Sequence, residues 1–276
     1  MRIGFIGCGA MGGAIARGAV AAGLVTGEQV ILFDAYEPAA QSLATEIGAR
    51  PAATALEVAA TTDLIVLAVK PNVIEGVLAD VAAWLDDTLV VSIAAGIPLA
   101  RLEAASVGSE PSRVARIVRA MPNLAASVGA AMTGLALGSR VSAAEAEPVR
   151  QLFQSVGRVA MVPEANFSAF VAMAGSSPAF ALEYADSLAR AGVAQGLSKR
   201  AALEYAAQAM KGAADLLLAE LDREGGRSAA DLIDAVCSPG GTTVAGMLAL
   251  DAAGFRAATE AAVAATVARD RELAGK

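Results

Sequence analysis

The chain has 276 residues, enough for one large or two modest domains with a sizeable core. Its 21 Lys and Arg against 28 Asp and Glu give a net charge of −7 with no basic cluster, which argues against a nucleic-acid surface. It has no histidine, which excludes Ser-His-Asp and Cys-His catalysis and histidine-ligated metal sites, and its two cysteines, Cys8 and Cys237, suggest reduced thiols in a cytoplasmic protein rather than a disulfide framework.

A strand is expected over residues 2–6, and no basic region followed by a long apolar run marks a signal peptide. The strand runs directly into Gly7-Cys8-Gly9-Ala10-Met11-Gly12, a G-x-G-x-x-G that opens a helix over 12–22. Strand, turn and helix are the context in which this motif binds a dinucleotide. Gly7 makes the tight turn, Gly9 lets backbone approach a pyrophosphate, and Gly12 lets the helix pack on the strand. The helix start then offers free N–H groups to the phosphates. A second strand, 29–33, ends at Asp34, 22 residues beyond Gly12. An acid there accepts the adenosine ribose hydroxyls and repels a 2′-phosphate, and no Lys or Arg lies between Asp34 and Ala49 to reverse that. Capping of the next helix, 37–47, is the other reading of Asp34.

Strands over 63–69 and 88–93, with a helix over 73–84, continue the alternation. Leu64 to Val69, the longest apolar run, is of strand length, well short of the roughly 20 residues of a membrane span. Two loops, Ala68-Val69-Lys70-Pro71 and Ser92-Ile93-Ala94-Ala95-Gly96, fall at the carboxyl ends of these strands, where open α/β sheets bind ligands. Their small residues leave room for a nicotinamide riboside, while Lys70 alone reads equally as a solvated lysine. Further strands are expected over 113–119 and 157–162; 130–137 fits a strand less well because of Gly134 and its alanines. The pattern is that of βαβ units and a parallel, doubly wound sheet, an α/β domain over 1–162.

After Pro163 the texture changes to Ala/Leu-rich helical periodicity over 178–194, 198–220, 228–236 and 252–273, read as a second, all-α domain over 163–276. Its apolar faces suit an oligomer interface or packing within one chain; the oligomer is the preferred reading. Between the helix over 228–236 and a helix starting near Thr242 lies Ser238-Pro239-Gly240-Gly241-Thr242-Thr243. Freed backbone, two hydroxyls and fresh helix N–H groups make an anion cradle suited to a carboxylate, or a plain turn with a threonine cap. Gly175-Ser176-Ser177-Pro178 is a second small-polar helix start, a further wall of that site or another cap. A dinucleotide domain beside a hydroxyl-lined anion site indicates a nicotinamide oxidoreductase for a small carboxylate. Without histidine to take a hydroxyl proton, a C=N substrate fits better than an alcohol.

The chain resembles the pyrroline-5-carboxylate reductase family along essentially its whole length. The resemblance is carried by residues 3–12, Ala68-Val69-Lys70-Pro71, residues 90–96, Arg119-Ala120-Met121-Pro122-Asn123, Gly175-Ser176-Ser177-Pro178-Ala179, residues 236–243 and Gly254-Phe255-Arg256. It implies hydride transfer from NADH or NADPH to C5 of L-1-pyrroline-5-carboxylate, giving L-proline, the last step of proline biosynthesis. It implies a Rossmann domain and a helical domain that interlocks two subunits, as a homodimer or as dimers assembled into a decamer, with no nucleic-acid or membrane partner. Cofactor contacts carried over are Ile6, Gly7, Cys8, Gly9, Ala10, Met11 and Gly12, Asp34, Ala68, Val69, Lys70 and Pro71, and Ile93, Ala94 and Ala95. Ser238, Gly240, Gly241, Thr242 and Thr243, with Ser177, are the substrate candidates, and the Thr243 hydroxyl, the catalytic candidate, lies near the ring nitrogen. No metal is implied. Asp34 favours NADH.

Three departures stand out. Leu124-Ala125 replaces the family's usual Thr-Pro after Met-Pro-Asn. The stretch Glu224-Gly225-Gly226-Arg227-Ser228 lacks its usual His-Pro pair, leaving Glu224 as the candidate for an acid expected near the amine. Position 34, often Ser, Thr or Asn in NADPH-preferring members, is Asp. The rival functions are another imine or β-hydroxyacid reductase, for which Lys199 and Lys211 are the available lysines, and a non-enzymatic NAD-binding sensor.

Overall fold

The short apolar runs of the first half become strands β1 (Ile3–Ile6), β2 (Val30–Phe33), β3 (Arg50–Pro51), β4 (Leu64–Leu67), β5 (Leu89–Ser92) and β6 (Arg116–Met121), followed by β7 (Ala131–Leu137) and β8 (Gly157–Met161). They form one eight-stranded sheet in the order β3-β2-β1-β4-β5-β6-β7-β8. The computed structural model describes residues 1–107 and 114–275, so Arg113, the first residue of the strand expected over 113–119, lies outside the described residues.

Helices α1 (Ala10–Ala21), α2 (Glu37–Ile47), α3 (Ala55–Thr61), α4 (Ile74–Val81), α5 (Leu99–Ala105) and α6 (Glu147–Gln154) connect the strands. Side chains alternate across a strand, and the core accordingly splits into two layers. Ile3, Phe5, Val30, Leu32 and Val66 pack with Ile15 of α1, Leu43 of α2 and Phe153 of α6. Ile6, Ile31, Ile65, Leu67 and Val90 pack with Val58 of α3, Leu78 of α4 and Leu102 of α5. Each such fully buried side chain contributes about 1.5–3 kcal/mol. The result is the doubly wound α/β layer that the alternation predicts.

The sheet is mixed rather than parallel. β7 runs antiparallel to β6, with Ala120 opposite Leu135. Only residues 122–130 join the two strands, too few for the crossover of a dozen or more residues that a parallel pair needs. The segment around Gly134 is a full strand, and β8 returns parallel to it. The edge strand β3 was missed because it has only two residues, one of them a proline, which sheets tolerate at an edge.

The chain divides into two compact units, residues 1–178 with those from 265 onward, and residues 179–264. In the first, α7 (Phe167–Phe170) and a π-helical stretch, Val171–Ser176, lead into α8 (Ser177–Ala194). The Phe170 ring lies against the face of Gly134, where an added Cβ would come within 2.7 Å of it. The second unit holds most of α8, then α9 (Lys199–Leu221), α10 (Ala229–Val236), α11 (Thr242–Ala252) and the first part of α12 (Phe255–Ala274). Ser198 caps α9 by accepting the Ala201 N–H, and Ser228 with Asp231 forms a capping box on α10.

Candidate functional site

The loops after β1, β2, β4 and β5 all leave the carboxyl edge of the sheet. They are stitched there by backbone: the Gly7 N–H donates to the Phe33 carbonyl at 2.8 Å, the Ala68 N–H to Ile6 at 2.8 Å and the Ile93 N–H to Leu67 at 3.2 Å. Gly7–Gly12, Asp34, Ala68–Pro71 and Ile93–Ala95 are therefore brought together in the first unit.

Gly7 has φ +106°, and an added Cβ would lie 2.5 Å from the Ala68 carbonyl oxygen. Only glycine suits that conformation and that space. A Cβ on Gly12 would stand 2.2 Å from the Gly7 carbonyl oxygen, so this residue serves the close packing of α1 on the turn. Gly9 is different: its Cα looks onto open space, with nothing within 4 Å of an added Cβ. Gly9 is also the N-cap of α1, and no side chain caps that helix. Its first N–H groups, which have no partner within the helix, lie beside the free face. The residues present thus fit a dinucleotide phosphate, on the open cradle at Gly9 and the uncapped helix start.

Asp34 is half-buried and fixed at both oxygens. Oδ2 accepts the Cys8 N–H at 2.7 Å and Oδ1 the Tyr36 N–H at 2.8 Å. Asp34 is not the cap of α2: that position is Tyr36, with no side-chain cap bond. Its remaining lone pairs face a cleft of about 470 Å³ whose lining includes Phe33, Glu37, Gln41 and Pro51. Two carboxylates and no cation line this cleft. Arg50, the nearest arginine in sequence, is held by Glu57 at 2.8 Å. The Cys8 thiol is buried, with Sγ 3.6 Å from the Phe33 carbonyl oxygen; burial, and then the nearby Asp34 charge, push its pKa up to about 12. Lys70 is exposed at the start of the 3₁₀ turn Pro71–Val73, and Ala94 donates its N–H to the Ser92 hydroxyl at 3.3 Å.

In the second unit, Ser238-Pro239-Gly240-Gly241 is a type II turn. The Gly241 N–H donates to the Ser238 carbonyl at 2.9 Å, proline occupies the second position, and Gly240 has φ +66° at the third. Gly241, the N-cap of α11, supplies no side chain, so neither threonine hydroxyl is used as a cap. Thr242 and Thr243 stand exposed on its first turn. Ser177 belongs to the first unit, where its hydroxyl donates to the Met173 carbonyl at 2.6 Å.

Glu224 is exposed; the acid engaged in this stretch is Glu220. It is 5% exposed, accepts the Arg227 backbone N–H and guanidinium, and pairs with Arg223 at 2.7 Å. Sequence reading also gave no role to Arg119. It is 4% exposed on β6, stacks over the Phe167 ring at 4.3 Å, and donates to Glu164 at 3.1 Å, which in turn accepts the Leu99 N–H at 2.7 Å. An arginine inside the apolar run Ile117 to Met121 was the one available signal. Among the described residues no group of acids and cysteines is placed to hold a metal, and no helix is long and apolar enough to cross a membrane.

Comparison with known proteins identifies the family. The family model described as pyrroline-5-carboxylate reductase dimerisation matches residues 164–273, and that described as NADP oxidoreductase, coenzyme F420-dependent, matches residues 2–96. Pyrroline-5-carboxylate reductase of Methanosarcina acetivorans is 37% identical over 276 residues, covering 100% of this chain and 98% of that protein. The structure of the reductase from Coxiella burnetii superposes with a TM-score of 0.89 at 30% identity, over 99% of this chain and 98% of that one. The Plasmodium falciparum pyrroline carboxylate reductase with NADP bound gives 0.85 at 27% identity, over 99% and 98%. A 37% identical relative matched along its full length places the chain in a family, and this protein belongs to the pyrroline-5-carboxylate reductases.

Proposed function

We propose that the protein reduces L-1-pyrroline-5-carboxylate to L-proline with a nicotinamide dinucleotide, the last step of proline biosynthesis. The supporting observation is the Ser238–Gly241 turn, which leaves the start of α11 uncapped beside two free threonines. The Gly9 cradle and the start of α1 hold the pyrophosphate, Asp34 takes the adenosine ribose, and Ala68–Pro71 with Ile93–Ala95 flank the nicotinamide. When bound, that group supplies the hydride. The backbone N–H groups from Gly240 to Thr243 hold the substrate carboxylate, with Ser238 and Ser177 as further contacts. The Thr243 hydroxyl hydrogen-bonds at the ring nitrogen. A neutral hydroxyl orients the protonated C=N group without the excess stabilisation of the cation that a carboxylate would bring. The labour divides between residues 1–162, which bind the cofactor, and 163–276, which bind substrate and form the homo-oligomer. NADH is the favoured cofactor, and the enzyme works in the cytoplasm as a dimer or a decamer built from dimers.

The lysines available to a β-hydroxyacid reductase stand exposed in surface pairs, Lys199 with Asp186 at 3.3 Å and Lys211 with Asp215, which favours the imine reading. The deciding experiment follows NADH oxidation with pyrroline-5-carboxylate and with 1-piperideine-2-carboxylate. Faster turnover of the five-membered ring is expected; turnover of neither would overturn the reading.

A further inference from the structure

Pro178 lies four residues beyond Ala174 in one helical run. It has no N–H to give the Ala174 carbonyl, and a proline ring crowds the carbonyl of residue i−4. The chain widens here: Val171–Ser176 is π-helical, between α7 and α8. Widening relieves the crowding, and the donor comes from another segment. Asn123 Nδ2 donates to the Ala174 carbonyl at 2.8 Å, in a buried bond that spans 51 residues of sequence.

Asn123 is 9% exposed and also uses its other amide atom. Oδ1 accepts the Ala125 N–H at 3.2 Å and caps the 3₁₀ turn Leu124–Val128. Met121, two residues earlier, rests against Gly175: a Cβ there would lie 3.1 Å from the Met121 Cε. Both neighbours of Pro122 thus meet the widened turn. This joins two segments that are far apart in sequence, Met121-Pro122-Asn123 and Gly175-Ser176-Ser177-Pro178. The asparagine supplies the hydrogen bond that the proline withholds.

We propose that Asn123 is a positioning residue for imine reduction. By holding the Ala174 carbonyl it fixes the π-helical turn that leads into Ser177, the substrate contact of the proposed function. The proposal rests on the reductase reading for its effect on turnover, but the lock itself is a property of the fold.

Four variants test it in the full-length protein: N123A, N123D, P178A and the double variant N123A/P178A. N123D keeps an acceptor for the Ala125 N–H but loses the donor to Ala174; N123A loses both. P178A gives the Ala174 carbonyl a helical N–H of its own. Loss of the lock is expected to lower kcat/KM for pyrroline-5-carboxylate by about 10- to 100-fold in N123A and N123D, the scale of a roughly 1 Å misplacement. The cofactor dissociation constant should stay within about twofold, since the hydrogen bonds of Asn123 go to Ala174 and Ala125 and not to the dinucleotide loops. P178A alone should act like the parent, and the double variant should recover to within about threefold of it, a coupling that independent sites do not show. Hydrogen exchange of residues 171–182 is read in parallel: faster in N123D, slow again in N123A/P178A. Parental efficiency in N123D, or a double variant no better than N123A in both turnover and exchange, overturns the proposal. A parent inactive on the imine, with exchange that still rises in N123D and falls in the double variant, removes the reductase reading and leaves the lock standing.

Discussion

The carboxylate of Asp34 accepts the backbone N–H of Cys8 at 2.7 Å, tying the end of β2 to the glycine turn after β1. The residue that faces the adenosine ribose in our proposal is therefore also a brace of the phosphate loop. Two effects should separate in its variants. The unmodified enzyme should use NADH at least about tenfold more efficiently than NADPH, because a 2′-phosphate would meet Asp34 and Glu37 with no free cation, a like-charge penalty of up to several kcal/mol. Asp34→Ser should shift the ratio toward NADPH. It should also lower efficiency with both cofactors by about tenfold or more, the scale of losing a charged hydrogen bond worth about 1.5–3 kcal/mol. Steady-state kinetics with each cofactor check this, and equal use of NADPH by the parent would refute it.

Thr243→Ala should lower kcat/KM by about 10- to 1000-fold, the scale of losing one positioned hydrogen-bonding group. Thr243→Ser should recover much of the loss. Because Gly241, not a threonine, caps α11, stability should hardly change, and thermal unfolding beside kinetics separates the two roles. Near-full efficiency in Thr243→Ala would mean that the proton at nitrogen is managed by water.

What could be read in the sequence was whatever local backbone chemistry enforces. Gly7 and Gly12 announce themselves because a Cβ at either would strike backbone, and Pro239-Gly240 favours the type II turn that the positive φ of Gly240 completes. What escaped depends on partners distant in sequence. The Asp34–Cys8 bond, the Arg119–Glu164 pair and the Asn123–Ala174 bond span 26, 45 and 51 residues, and no periodicity encodes them. The reversal at β7 was hidden for another reason: the pattern of a buried strand is the same in either direction, and only the shortness of 122–130 betrays it.

Glu220 gives a pH signature. The Arg227 backbone N–H, its guanidinium and Arg223 hold this carboxyl below its ordinary value of 4.5. A group whose folded pKa is depressed adds stability that is present above the unfolded value and lost as pH falls through the folded one. Urea midpoints of the parent should therefore drop on going from pH 5 toward pH 3, and Glu220→Gln, less stable at pH 7, should show a shallower drop. Parallel curves for the two proteins would contradict this assignment.

The second unit exposes Leu182, Leu221, Val236 and Leu248, each more than 60% accessible in the single chain. Faces of this kind mark association, and the matching family model is one of dimerisation. Light scattering at micromolar concentration should give at least a dimer. Charged replacements, Leu221→Glu with Leu248→Glu, should produce monomers or aggregates with activity lost. A folded, active monomer of the parent would count against the helical unit as the interface.

The backbone bonds from Gly7, Ala68 and Ile93 to neighbouring strands have an energetic consequence. Each of these loops, the cofactor contacts of our proposal, begins as one more rung of the β-ladder, so its ordering entropy is lost during folding and little remains to be lost on association. Cofactor affinity is then coupled to sheet integrity: a substitution deep in β4 or β5 that lets these rungs open weakens dinucleotide binding without touching a single contact residue.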